Sequence, residues 1–332
     1  MLPVRHTVVA AAQSLAIDQV TGEVVRRLQT HGVRPVLLKG PSIARWLYDD
    51  GHARPYCDID LLVGPIDLHD SAQVLSDLGY TLSSRGEFVE WLRHDHGRER
   101  ELVRGEGARW DRADSPPVDL HCTLPGALAP PERCWTVLSA ETHKLSVGGT
   151  VVEVLRPVAL ALHIVLHAVT SGVDNKKALG DLARALGRLP PEEWEQVLEM
   201  AKQLDALETF AVGLSLVPGG PVLAQRLGVP PPVSVDPLVY AAGAGRQALP
   251  FERMAAARGL RRKLALAARV TVPTPSFVRV WYPQVCQRGG GLLAGYVYRL
   301  WWVIRKAPGG LWAWGRARRS IADGESMRAG SS

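Results

Sequence analysis

Cysteine is scarce in this 332-residue chain: there are four, at positions 57, 122, 134 and 286. Their spacing offers no metal-ligand pair and no dense, even pattern. A zinc ribbon and a disulfide-stapled extracellular fold are therefore excluded, and small thiols in the core of a cytoplasmic protein remain. Cys57 and Cys122 both fall in apolar, strand-like runs. No apolar stretch reaches the roughly 20 residues of a membrane span. The nearest approach, Gly291–Ile304, is shorter and is interrupted by Arg299. GxxxxGK[ST] and HExxH are both missing, so a P-loop and a zincin site are excluded, and no internal repeat is visible. No long apolar run follows Arg5, which argues against a signal peptide. Instead Val8–Leu28 repeats at helical spacing, with Asp18, Glu23, Arg26 and Arg27 on the outer face. A hydrophobic content of 46% is ample for one large core or two domains.

Val36–Val63 carries the most chemistry, reading VLLKGPSIARWLYDDGHARPYCDIDLLV. Asp58 and Asp60 stand at i and i+2, so in an extended strand their carboxylates share one face above an otherwise apolar element. Paired oxygen ligands of this kind suit Mg²⁺ or Mn²⁺. A third carboxylate, Asp119 in PPVDLHCTL, lies on another short alternation, with Val118, Leu120 and Cys122 facing one way and Asp119 and His121 the other. Three carboxylates on neighbouring strands repel one another unless a cation is present, so the cluster makes physical sense as a metal site. Upstream, Val33–Leu38 reads as a buried strand, and Lys39-Gly40-Pro41-Ser42 turns it into the helical pattern Ile43–Tyr48. Gly40 permits close approach, Pro41 suits a first helical position, and free N–H groups at a helix start suit a phosphate. Ser42 adds a hydroxyl, and Lys39 or Arg54 a positive charge.

Taken in order, the strand, the Gly-x-Ser turn, the helix, the DxD strand and the later Asp resemble the DNA polymerase β type nucleotidyltransferase superfamily. KGPS, WLY, the lone Arg54, DIDLLV, the helix ending LGY, and VDLH are similar to the uncharacterised bacterial nucleotidyltransferase family within it. The interval from Gly40 to Asp58 is longer than usual for the superfamily, and Pro41 replaces a more common small or apolar residue. The resemblance implies an α+β fold: a mixed-sheet core flanked by helices, with a mostly helical C-terminal part. It also implies that Gly40 and Ser42 hold a triphosphate, that Asp58 and Asp60 bind metal, and that Asp119 completes the site and activates the acceptor. The activity implied is transfer of a nucleoside monophosphate, most simply AMP from ATP, to an oxygen of a small-molecule or peptide acceptor. A toxin-like enzyme modifying tRNA or protein, and an inactive nucleotide-binding scaffold, are the alternatives.

Along the rest of the chain, residues 1–130 read as the α/β core with its N-terminal helices. Asp67–Leu78 reads as a helix, Phe88–Arg93 and Glu99–Val103 as a hairpin, and Arg104–Pro117 as irregular. After Pro130 the pattern is mostly helical, and residues 131–250 form a subdomain that completes the substrate cleft. His121, Asp174, Lys176 and Asp181 are placed at its rim. His163 and His167 share a helical face among Leu and Val, which favours a packing role over a metal. Residues 251–320 form a basic, aromatic-rich extension, and 321–332 read as a disordered tail. From Phe251 onward there are 15 Arg/Lys against three Asp/Glu, a net of +12 in a chain of +6 overall. Three readings of that extension stay open: a peripheral contact with an anionic membrane or a protein, an RNA-facing surface, and a helical subdomain whose Trp residues pack inward.

Overall fold

The computed structural model describes residues 2–48, 54–83 and 107–329. It divides into two units, one of Met1–His167 with Gly180–Phe210, the other of Ala168–Leu179 with Ala211–Ser332.

The first unit is α+β. Helix α1 (Leu2–Thr30) turns Ile17, Val24, Val25 and Leu28 onto one buried face, the 3.6-residue spacing of an amphipathic helix. Asp18, assigned to the outer face by that spacing, is buried instead. Its carboxylate accepts the Tyr56 hydroxyl at 2.6 Å and the Arg45 guanidinium at 3.1 Å, which offsets its desolvation.

Seven strands form one mixed sheet: β1 (Val36–Leu37), β2 (Ile59–Leu62), β3 (Thr81–Leu82), β4 (Ala108–Asp111), β5 (Val118–His121), β6 (Thr142–Val147) and β7 (Thr150–Leu155). Their order is β3-β4-β5-β2-β1-β7-β6. Strand β2 runs antiparallel to β1 and parallel to β5, and β1 runs parallel to β7. Helix α2 (Pro41–Leu47) follows β1, and α3 (Leu68–Asp77) follows β2 with Val74 and Leu75 buried. Ile59, Leu61, Trp110, Val118, Leu120, Val152 and Val154 from the sheet meet α1 and α3 in a single core.

Three expectations change here. β4 falls inside the segment read as irregular: four residues, with Ala108 and Trp110 buried and Arg109 and Asp111 outside, are too short a period to stand out from the surrounding Gly and Pro. The β6–β7 hairpin lies beyond Pro130, where the pattern reads as helical. It turns on Gly148 and Gly149, both at positive φ, as a two-residue hairpin requires. A side chain at Gly148 would also meet the Asp18 carbonyl oxygen at 2.1 Å, so α1 passes too close for any residue but glycine. Cys57 is exposed just ahead of β2, whereas Cys122 and Cys134 are buried thiols. The hairpin over residues 88–103 lies outside the described residues.

Helices α4 (Pro131–Ala140), α5 (Pro157–Ser171), α6 (Lys176–Arg188) and α7 (Glu193–Gln203) follow the sheet elements; Asn175 caps α6 through the Ala178 N–H at 3.1 Å. α8 (Leu207–Leu214) runs from the first unit into the second, which is helical: α9 (Gly220–Arg226), α10 (Val235–Ala241), α11 (Gly245–Ala256), α12 (Leu260–Thr271), α13 (Pro275–Trp281) and the long α14 (Gly291–Ala329). Its cluster joins Val235, Val239, Ala248 and Leu249 to Ala313 and Ala317. Helix continues to Ala329, through most of the segment read as a disordered tail. No helix among the described residues is long and apolar enough to cross a membrane.

Candidate active site

Strand pairing sets the site. Asp60 and Asp119 are register partners on adjacent parallel strands, and Asp58 precedes β2 by one residue on the same face. One ligand oxygen from each of Asp58, Asp60 and Asp119 lies within 4.8 Å of the others. The segment leading to Asp58 is pinned on both sides. Arg54 forms a bidentate pair with Asp181 of α6, Nε to Oδ1 at 2.9 Å and Nη2 to Oδ2 at 2.7 Å. Tyr56 is held by Asp18 of α1. Asp181 also accepts the Tyr48 hydroxyl at 2.8 Å; burial first, and then that bond, push the Tyr48 phenol up to about 12.

Asp60 is the buried member, 2% exposed. Its Oδ1 receives the Lys39 ammonium at 2.8 Å and lies 3.3 Å from His121 Nε2. Burial works against its ionised form, but Lys39 and His121 outweigh it and hold the carboxyl well below the usual range. Lys39 shows the converse: burial lowers its pKa, yet Asp60, Asp58 and Asp119 together raise it, so it stays an ammonium. Asp119 differs in sign. Burial raises its pKa, His121 opposes this, and the Asp60 and Asp58 charges raise it further.

The fit of this set to a divalent cation is tested by the other oxygen of Asp60. Oδ2 is buried and has no hydrogen-bond partner among the described residues, a costly arrangement for a carboxylate unless something else takes its lone pairs. Lys39 and His121 both engage Oδ1, so Asp60, one of the three clustered carboxylates, keeps an oxygen to which no described residue donates. All-oxygen donors of this kind fit Mg²⁺ or Mn²⁺.

The turn after β1 has Gly40 at φ 66° as the N-cap of α2, with Pro41 in the first turn. The Ser42 hydroxyl is buried and lies 3.2 Å from the Lys39 carbonyl and 3.4 Å from that of Leu38, within its own turn. The four residues assigned to the cleft rim fall in both units. His121 is buried against Asp60 and Asp181 is buried against Arg54, while Asp174 and Lys176 are exposed around the start of α6, in the second unit.

Two neighbours escaped the sequence, Arg109 and Gly107, and a third element, the His163–His167 pair, lies nearer the site than its packing role implied. Arg109 is the β4 register partner of Asp119. Gly107 abuts the site, since a side chain there would meet His121 Nε2 at 2.8 Å and Asp119 Cβ at 3.1 Å. His163 and His167 of α5 stack at 6.0 Å between ring centroids, within electrostatic reach of Lys39 and Asp60. Burial, and after it the Lys39 charge, hold His163 well below its ordinary pKa and push His167 down to about 3.

A depressed pKa in the folded state means that the unfolded chain binds the extra protons. The stability due to the neutral pair is complete above the unfolded value of about 6.5 and is lost as pH falls below it, by at most about 1.4 kcal/mol per pH unit for each histidine. Urea midpoints at pH 7 and pH 5 should show this fall, and His163→Leu should flatten it. An unchanged slope in the variant would remove His163 from the account.

A family described as an uncharacterised nucleotidyltransferase matches residues 4–218 of the chain. No curated protein and no solved structure matches it.

Proposed function

The chain belongs to the uncharacterised nucleotidyltransferase family, and from that premise we propose that it moves a nucleoside monophosphate, AMP from ATP in the simplest case, to a hydroxyl or phosphate oxygen of a small-molecule or peptide acceptor, releasing pyrophosphate. The observation that carries this reading is the cluster of Asp58, Asp60 and Asp119, whose ligand oxygens lie within 4.8 Å of one another, with the buried Asp60 retaining one oxygen that has no hydrogen-bond partner among the described residues. A divalent cation held by these three carboxylates supplies Lewis-acid polarisation and neutralises phosphate charge.

The chain's own groups do the rest. Lys39 and His121 keep Asp60 ionised and fixed in orientation, so little reorganisation is needed as the reaction proceeds. The backbone at Gly40 and Ser42 receives the triphosphate at the start of α2, and Arg54 contributes Nη1, which has no hydrogen-bond partner among the described residues. Asp119 takes the proton of the acceptor hydroxyl as that oxygen attacks the α-phosphorus in line. Bond formation at phosphorus is balanced by departure of pyrophosphate, and no covalent enzyme intermediate is needed. The proposed setting is the cytoplasm, where ATP and Mg²⁺ are both at hand.

Manganese binding, followed by electron paramagnetic resonance, tests the site without knowledge of the acceptor. The parent chain is expected to bind Mn²⁺, and Asp58→Asn to weaken binding at least tenfold. Equal binding by the two would overturn the assignment. With ATP labelled at the α-phosphate, label in a small product supports the proposed acceptor class. Label in tRNA or protein would instead establish the toxin-like reading, and nucleotide binding without transfer to any acceptor tried would favour the scaffold.

A further inference from the structure

The second unit carries a feature that nucleotidyl transfer does not use. From Arg253 to Ala322 the chain has 14 Arg/Lys and no Asp or Glu at all. Within this stretch the aromatic residues of α14 divide by face. Trp314 packs inward, its Nε1 donating to Glu252 at 2.7 Å, and Arg318 pairs with the same carboxylate at 2.6 Å. Arg299, which interrupts the apolar run, is a packing element. It donates to the Val270 carbonyl at 2.8 Å and to the Tyr282 hydroxyl at 3.0 Å, and it lies over the rings of Phe277 and Trp302.

The other face is open to solvent among the described residues. Leu293, Val297, Trp301, Ile304 and Trp312 are exposed, by 75%, 63%, 52%, 66% and 62%. Their spacings of four, four, three and eight residues place them on one helical stripe about 30 Å long. Val272, at the end of α12, borders the same stripe beside Val297 and Leu300. Near its C-terminal half the stripe is edged with cations: Arg305 lies over the Trp301 ring at 5.5 Å and Arg316 over Trp312 at 5.4 Å.

We propose that this face of α14 lies in the interface of a bilayer leaflet containing anionic phospholipid. An apolar stripe of this size in water needs a cover. A second copy of the chain would bring one acid-free basic surface against another, and like charges would oppose the contact. RNA would satisfy the charge but has no use for Leu293, Val297 and Ile304. A leaflet meets both demands, because the aliphatic residues enter the acyl boundary, the Trp rings sit at headgroup depth and the guanidiniums meet lipid phosphates. The helix lies along the surface, since none of the described helices is apolar and long enough to cross.

The test uses the full chain and two sets of vesicles, phosphatidylcholine alone and phosphatidylcholine with about one third phosphatidylglycerol. Co-sedimentation is expected only with the anionic set and should weaken at 0.5 M NaCl, where charge screening is strong. Trp301→Ser with Ile304→Ser should lower partitioning at least tenfold while leaving the circular dichroism unchanged, because both side chains point away from the helical cluster. Should that variant misfold, the parent chain decides: bromine-labelled anionic lipids should quench part of its tryptophan emission. Failure to bind anionic vesicles, binding that ignores the double substitution in a folded variant, absence of quenching, or tight binding of RNA alone would each overturn the proposal.

Discussion

Asp119→Asn is expected to lower nucleotidyl transfer by about three orders of magnitude and, in metal-free buffer at neutral pH, to raise the melting temperature. The loss follows from removing a cation ligand and proton acceptor from a site where polarisation contributes several kcal/mol, about 4 kcal/mol being a factor of a thousand. The gain follows from electrostatics. Asp119 is a half-buried carboxylate beside Asp60 and Asp58, and its pKa is raised in the folded chain. A raised carboxyl pKa means that the folded state binds the proton more tightly than the unfolded one. Metal-free stability therefore falls as pH rises through that folded value, and a neutral asparagine removes the penalty. Added Mg²⁺ should stabilise the parent and do less for the variant. Asp60→Asn is a less clean probe, because it strands the Lys39 ammonium without its carboxylate, and breaking a buried pair costs about 3–5 kcal/mol. Calorimetry without metal, alongside a transfer assay, reads both effects of Asp119→Asn. Undiminished turnover would remove Asp119 from the mechanism, and a lower melting temperature would contradict the electrostatic account.

The triad was legible because its signal is local. Alternation in DIDLLV and VDLH fixes which way each carboxylate points, and two short apolar runs that must both be buried suggest neighbouring strands, which the structure shows to be parallel. What holds the triad was not legible. The partners of Asp60, Lys39 and His121, stand 21 and 61 residues away in the chain, and no periodicity reports contacts between such distant segments. Asp18 misled for the same reason: helical spacing placed it outside, but Tyr56 and Arg45 make its burial affordable. The β6–β7 hairpin is a different case. Val-Gly-Gly-Thr between alternating runs is a strong local hairpin signal, and the Leu- and Ala-rich helices that follow masked it. For α14, charge and composition marked the segment as unusual. Only the fold separates Trp314, which packs on Glu252, from Trp301 and Trp312, which face outward.

Asp181→Asn is expected to destabilise the first unit by about 3–5 kcal/mol, the usual consequence of leaving one member of a buried ion pair without its partner. Both side chains are only 3% exposed, so water cannot replace the lost carboxylate charge on Arg54. Pairing the change with Arg54→Met should restore most of the loss, since two apolar or neutral groups of similar volume carry no stranded charge. That double variant then separates bracing from binding. Arg54 turns Nε and Nη2 toward Asp181, while Nη1 is buried and has no hydrogen-bond partner among the described residues. If Nη1 is the donor that meets the triphosphate, the refolded double variant should show a KM for the nucleotide raised at least tenfold with kcat little changed, the mark of an interaction made equally in the ground state and the transition state. A KM equal to that of the parent would make Arg54 only the brace that delivers Asp58 to the sheet edge. Urea unfolding of the two single variants and the double variant, followed by nucleotide titration of whichever fold, distinguishes these outcomes, because the stability cycle and the KM report on different atoms of one guanidinium.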